Sequence, residues 1–251
     1  MHQETIRLVP NADTAVLFIH GICGTPNHFR DVIPLEERIP DHISVYNLLL
    51  DGHGGTVSDF AASSGKKWAE KVAAVYETLA KEHKEIYVVG HSMGTLFALR
   101  LAAAHPEKVK KLFLLAVPMR PCLKPIMVWN VFCLVFGKLQ NAPEYRRGLV
   151  KASGVRTTRK LWKYIPWIFR FLDLFRMIGQ TEKEIGNVTA ACDCYQSQKD
   201  ELVFRQSEKV LGRNKDFRIH KLNDSSHFYY APDDRTLVLT DFEQWIKKTH
   251  D

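Results

Sequence analysis

The stretch Thr14-Ala15-Val16-Leu17-Phe18-Ile19 is uncharged throughout and stops at His20-Gly21. A short run this apolar suits a strand buried on both faces of a parallel sheet. Further strands are expected over 43–48, 85–89 and 111–117, over the more polar, cysteine-rich 190–196, and late in the chain over 217–222. Between them the period changes. Over 68–79, Trp68, Val72, Val75, Tyr76 and Leu79 fall on one helical stripe. Residues 94–104 are rich in Ala and Leu, with Pro106 as a stop, and 237–246 closes the chain as a helix. Strands alternating with helices predict an α/β fold, a mainly parallel sheet with helices on both faces.

The alternation breaks over 118–189. That stretch is dense in aromatic residues, among them Trp129, Phe132, Phe136, Trp162 and Trp167. It predicts a helical cap inserted into a core made of 1–117 and 190–251, with one of its helices serving as an ordinary crossover over the sheet. The cap helices are expected to turn their aromatic stripes toward a pocket and their charge outward. Residues 126–136 are expected to wall an acyl pocket; they are about half the roughly 20 residues a membrane span needs.

Net charge is +7. Residues 118–198 hold 13 Lys and Arg against 5 Asp and Glu, so the rest of the chain is close to neutral. The basic stretch contains no nucleic-acid motif, and nucleic acid is not expected as a partner. It is compatible with weak association to an anionic membrane surface, or with a plain solvated helical face. Five cysteines, an odd number, and a start without a secretory pattern lead to reduced thiols and a cytoplasmic location as the expectation. Cys192 and Cys194 lack a second Cys/His pair at zinc spacing, so no metal is expected.

The candidate chemistry lies at Gly90-His91-Ser92-Met93-Gly94. The motif follows the strand over 85–89 and opens a helix, the arrangement a nucleophile elbow needs. Glycines at both ends answer the crowding of so sharp a turn. Ser92 is therefore the candidate nucleophile. A serine hydroxyl needs a base, and His227, on a loop after the strand over 217–222, is the candidate. His91 is read as packing. Asp200, just past the strand over 190–196, is the candidate orienting acid, with Glu201, Asp193 and Asp224 as rivals. The amides of Met93 and Ile22 are the candidate oxyanion donors, with Cys23 next to Ile22.

These pieces resemble the α/β-hydrolase superfamily, and within it the compact bacterial carboxylesterases and monoacylglycerol lipases. The resemblance rests on Phe18-Ile19-His20-Gly21, Asp51-Gly52-His53-Gly54-Gly55-Thr56, the Ser92 elbow, Lys199-Asp200 and Ser226-His227-Phe228, in that order along the chain. The acid turn departs from the Gly-x-x-Asp usual there, reading Ser197-Gln198-Lys199-Asp200. The resemblance implies ester hydrolysis through an acyl-enzyme, a cap and no cofactor. The expected substrate is a small ester with an apolar acyl group. An acyltransferase or thioesterase using the same residues is the alternative, separable by acceptor competition; a catalytically silent binding protein of this fold is a third reading. Oligomeric state is not legible.

Overall fold

Alternate residues of the strand Thr14–Ile19 enter two different cores. Ala15, Leu17 and Ile19 pack into one apolar cluster, and Val16 and Phe18 into another, all fully buried. The strand therefore lies inside a sheet covered on both faces, as its unbroken apolar run requires. The computed structural model describes residues 2–247.

The sheet has seven strands: β1 (Thr5–Arg7), β2 (Thr14–Ile19), β3 (Ser44–Leu48), β4 (Glu85–His91), β5 (Val109–Leu115), β6 (Ala191–Ser197) and β7 (Phe217–Leu222). Their spatial order is β1-β3-β2-β4-β5-β6-β7. β1 runs antiparallel to β3 and every other pairing is parallel. β1 is too short and too polar to be read from periodicity; it owes its place to pairing with β3.

The helices are α1 (Val57–Ala62), α2 (Gly65–Glu82), α3 (Met93–Ala104), α4 (Pro125–Val135), α5 (Glu144–Ala152), α6 (Trp167–Glu184), α7 (Gln206–Leu211) and α8 (Pro232–Lys247). α2 starts where Ser64 accepts the Lys67 amide as N-cap, and it buries the stripe Trp68, Val72, Val75, Tyr76 and Leu79. α3 and the second half of α6 share that face of the sheet, while α8 covers the other through Val238, Phe242, Trp245 and Ile246. α6 is thus the crossover from β5 to β6, and its Leu174, Met177 and Ile178 belong to the main core.

The segment between β5 and β6 departs from expectation in one respect. The aromatic stripes of α4 and of the start of α6 face outward: Trp129, Phe132, Phe169 and Phe175 are exposed. The helices are in place, but their apolar faces do not wall a pocket.

Candidate active site

The turn from β4 into α3 is sharp and closely packed. Ser92 sits at φ 51° and ψ −121°, a strained conformation for a residue with a side chain. Hydrogen bonds hold it there. The Ser92 amide donates to the Leu115 carbonyl at 2.9 Å, and the Ser92 carbonyl accepts from the Thr95 amide at 3.0 Å and the Thr95 hydroxyl at 2.6 Å. A Cβ on Gly94 would stand 1.9 Å from the Ile19 carbonyl oxygen, and one on Gly90 2.8 Å from the Thr95 backbone. The two glycines let the elbow close against β2. Met93 opens α3, so its amide is one of the first-turn donors without an intrahelical acceptor.

His227 and Asp200 lie on neighbouring loops after β7 and β6. Asp200 Oδ2 is 2.8 Å and Oδ1 3.0 Å from His227 Nδ1, with both side chains almost fully buried. The carboxylate also accepts the Leu202 and Val203 amides at 2.7 and 2.9 Å, which fixes its plane. A carboxylate on Nδ1 sets the imidazole tautomer and leaves Nε2 for proton exchange. The rival acids are engaged elsewhere. Glu201 accepts the backbone amide of His227 at 3.0 Å, Asp193 binds Arg218 and His220 inside β6, and Asp224 meets Lys199. Ser92 and His227 line one small cavity, together with Gly21, Ile22, His28, His91, Ala152, Leu202 and Phe228 among others. No residue of 126–136 reaches it, so the wall expected from that stretch is absent; Ile22, Ala152, Leu202 and Phe228 provide apolar lining instead.

The loop after β2 lies against the elbow: a Cβ on Gly21 would be 2.9 Å from Ser92 Cβ. The Gly21 carbonyl is turned into the loop, where it accepts from His20 Nδ1 at 2.8 Å and from the Gly24 amide at 3.0 Å. Across a trans peptide the Ile22 N–H then points the other way. The neighbouring amide is not available, because Cys23 N–H donates to His53 Nε2 at 3.1 Å.

Two histidines of the glycine turns, which the sequence placed in motifs without a role, shape this loop. His20 accepts the Leu50 amide on Nε2, and His53 donates Nδ1–H to the Asp51 carbonyl while accepting from Cys23. Burial drives the His53 pKa down to about 4, and burial with the neighbouring His53 holds His20 well below the ordinary imidazole range. Both are neutral, as accepting an amide requires. His28 also borders the cavity, stacked 3.6 Å from His91, with its pKa lowered to about 3 by burial. His91 packs between His28 and His227, its Nε2 3.2 Å from the His227 carbonyl oxygen. The place of His20 and His53 within the first glycine turns was the available signal.

The segment between β5 and β6 meets the loops of the site at two glycines. The Gly154 amide donates to the Cys23 carbonyl at 2.7 Å, and Gly148 sits so close to Phe228 that a Cβ would stand 2.0 Å from its carbonyl oxygen. Cys192 and Cys194 face the apolar core, with their sulfurs 3.5 Å apart.

Sheet order, the strained turn after β4 and the loops at the carboxyl ends of the strands define the α/β-hydrolase fold. A family profile described as alpha/beta hydrolase fold matches residues 14–132. The chain is similar to a thermostable monoacylglycerol lipase of Bacillus sp. (strain H-257), 34% identical over 98 residues, or 39% of this chain and 38% of the lipase. It is also similar to a pimeloyl-[acyl-carrier protein] methyl ester esterase of Neisseria meningitidis, 36% identical over 115 residues, or 45% of this chain and 33% of the esterase. The chain thus spans well under half the length of these curated relatives. Among solved structures, one of the two metagenome-derived lipolytic enzymes LipS and LipT superposes with a TM-score of 0.75 at 20% identity, covering 99% of this chain and 98% of that one. The monoacylglycerol lipase of Paleococcus ferrophilus superposes with a TM-score of 0.68 at 15% identity, covering 97% of each chain. At these identities the structural likeness concerns the fold.

Proposed function

We propose that this chain is a serine hydrolase that cleaves carboxylic esters through an acyl-enzyme on Ser92. The observation that carries the reading is the Asp200 carboxylate at 2.8 Å from His227 Nδ1, beside a strained Ser92 that lines the same cavity as the imidazole. In this reading His227 Nε2 takes the Ser92 proton as Oγ attacks the ester carbonyl. The amides of Ile22 and Met93 meet the oxyanion as charge develops there. The alcohol leaves with the proton from His227, and water repeats the sequence to free the acid. Asp200 orients the ring and steadies the imidazolium. The named activities of the lipase and esterase relatives support an ester substrate. The apolar lining by Ile22, Ala152, Leu202 and Phe228 supports an apolar acyl group. Residues 118–189 act in this scheme as a cap: Ala152 borders the cavity, and Gly148 and Gly154 rest on the two site loops.

The test is active-site labelling. A fluorophosphonate probe should modify wild-type protein at Ser92. Ser92→Ala should lose labelling and about 10⁵–10⁶ of kcat on a 4-nitrophenyl ester. Labelling at another serine, or near-normal turnover by the variant, contradicts the assignment.

A further inference from the structure

Helix α4 is built inside out. Its eleven residues include no charged side chain, and a helix apolar all round is normally an interior element. Here it buries only Met127, Asn130 and Cys133. Its one strongly polar side chain faces inward, where Asn130 accepts from Arg146 Nε at 2.7 Å. Ile126, Val128, Trp129, Val131 and Phe132 face outward, with Trp129 53% and Phe132 43% exposed. The rings form a row: Trp129 stacks on Phe132 at 5.6 Å, Phe132 meets Phe136 at 4.5 Å, and the Arg159 guanidinium stands 5.8 Å from the Phe136 ring centre. A second exposed apolar group follows, with Trp162 at 64% and Ile165 at 70%, set among Lys160 and Lys163.

We propose that α4 and its flanking cations seat the protein on an anionic lipid bilayer. Charge decides between the occupants such a face could have. Residues 118–172 carry eleven Lys and Arg and one acid, Glu144, with Arg120 and Arg170 paired to Glu182 and Asp173 beyond that stretch. A second copy of the chain would bring like charge against like charge across a shared face. A bilayer with anionic headgroups neutralises the cations and accepts the apolar side chains below them. Tryptophan suits that boundary, because its ring is apolar and its N–H can stay wet. Eleven residues at about 1.5 Å per residue make a helix roughly half as long as a hydrocarbon core is thick. Among the described residues no helix is long and apolar enough to cross a membrane. α4 therefore lies in the interface. Lys124, which caps the start of α4, hydrogen-bonds the Asp200 carbonyl, so the docked helix begins beside the candidate acid. An ester dissolved in the lipid would then reach the cavity over a short path.

The experiment is co-sedimentation of the full chain with phosphatidylcholine vesicles, with and without phosphatidylglycerol. Binding to the anionic vesicles should be at least ~10-fold tighter and should weaken as salt is raised. Trp129→Ser with Phe132→Ser should lower it by ~10-fold or more, and Lys138→Glu with Arg159→Glu similarly. Turnover of a water-soluble ester and the melting temperature should stay at the wild-type level in both double variants. No sedimentation of the wild type, equal binding to neutral vesicles, or unchanged binding by the aromatic variant would overturn the proposal. So would a concentration-dependent dimer that the same substitutions dissolve, since it would assign the face to a second copy. Absence of soluble-ester turnover in the wild type bears on Ser92 chemistry alone, because the vesicle measurement does not depend on it.

Discussion

The backbone amide of Cys23 donates to Nε2 of His53 at 3.1 Å, across thirty positions of sequence. That bond ties the loop after β2 to the glycine-rich turn after β3. It also removes one of two adjacent amides from the cavity, leaving Ile22. Cys23 is held at φ 55°, so the loop needs such a partner to keep its shape.

His53→Ala should therefore lower kcat by about tenfold or more while changing KM less, because a misplaced oxyanion donor acts mainly on the transition state. Steady-state kinetics on a soluble ester check this. A change confined to KM would show that the loop positions substrate instead.

Acid should act on the same residue. The folded pKa of His53 is depressed to about 4, whereas an unfolded imidazole titrates near 6.5. Between those values the unfolded chain binds a proton that the folded chain refuses, so stability falls as pH drops from 6.5 toward 4. Urea midpoints measured over that range should decline in wild type, and the decline should be shallower in His53→Gln. Parallel curves would assign the acid sensitivity to other groups.

The carboxylates near β6 should separate cleanly. Asp200→Asn should cost about 10⁴ in kcat with little loss of stability, since it spoils the imidazole's tautomer. His227→Ala should approach the Ser92→Ala value. Asp193 is buried in β6 against Arg218 and His220, so Asp193→Asn should cost about 1–3 kcal/mol of stability and leave kcat nearly unchanged. Thermal melts run beside the kinetics decide it; a larger kcat loss for Asp193→Asn than for Asp200→Asn contradicts the acid assignment.

Two glycines make opposite predictions. Gly94→Ala drives a methyl to within 1.9 Å of the Ile19 carbonyl, and the variant should lose several kcal/mol or fail to fold. Gly179 lies inside α6 with nothing within 4 Å of its missing Cβ, so Gly179→Ala should raise stability by about 0.5–1 kcal/mol through helix propensity. Melting temperatures moving the other way at either site would contradict the packing described.

Glu182 joins the end of α6 to two arginines, Arg120 at 2.8 and 2.9 Å and Arg213 at 2.8 Å. The hydrogen bonds from Arg120 come first among the causes that lower its pKa to about 2. A depressed carboxylate pKa stabilises the fold above the ordinary value near 4.5, and that contribution is lost as pH falls toward 2. Both arginines are partly exposed, so screening limits the effect to about 1 kcal/mol. The melting-point gap between wild type and Glu182→Gln should be present at neutral pH and close in acid.

The chain's own pattern determined much of this. Strands β2 and β4 lie where nearly uncharged runs put them, because burial on two faces leaves little room for charge. The elbow was legible because glycines at 90 and 94 flank its serine; at 90 the turn's own backbone demands one, whereas at 94 the close approach of Ile19 does. Local rules could not reach further. β1 exists by pairing with β3, and the order of the strands is a long-range property. Sequence left four carboxylates near His227 in contention, and only the packing of the loops after β6 and β7 brings Asp200 to Nδ1 and sends Glu201 to the backbone. The histidines at 20 and 53 read as turn residues until the fold set them against each other. The aromatic helix α4 is the clearest case. Its composition called for burial, but a helix turns its face according to what it can pack on, and here Asn130 and Arg146 took the inside.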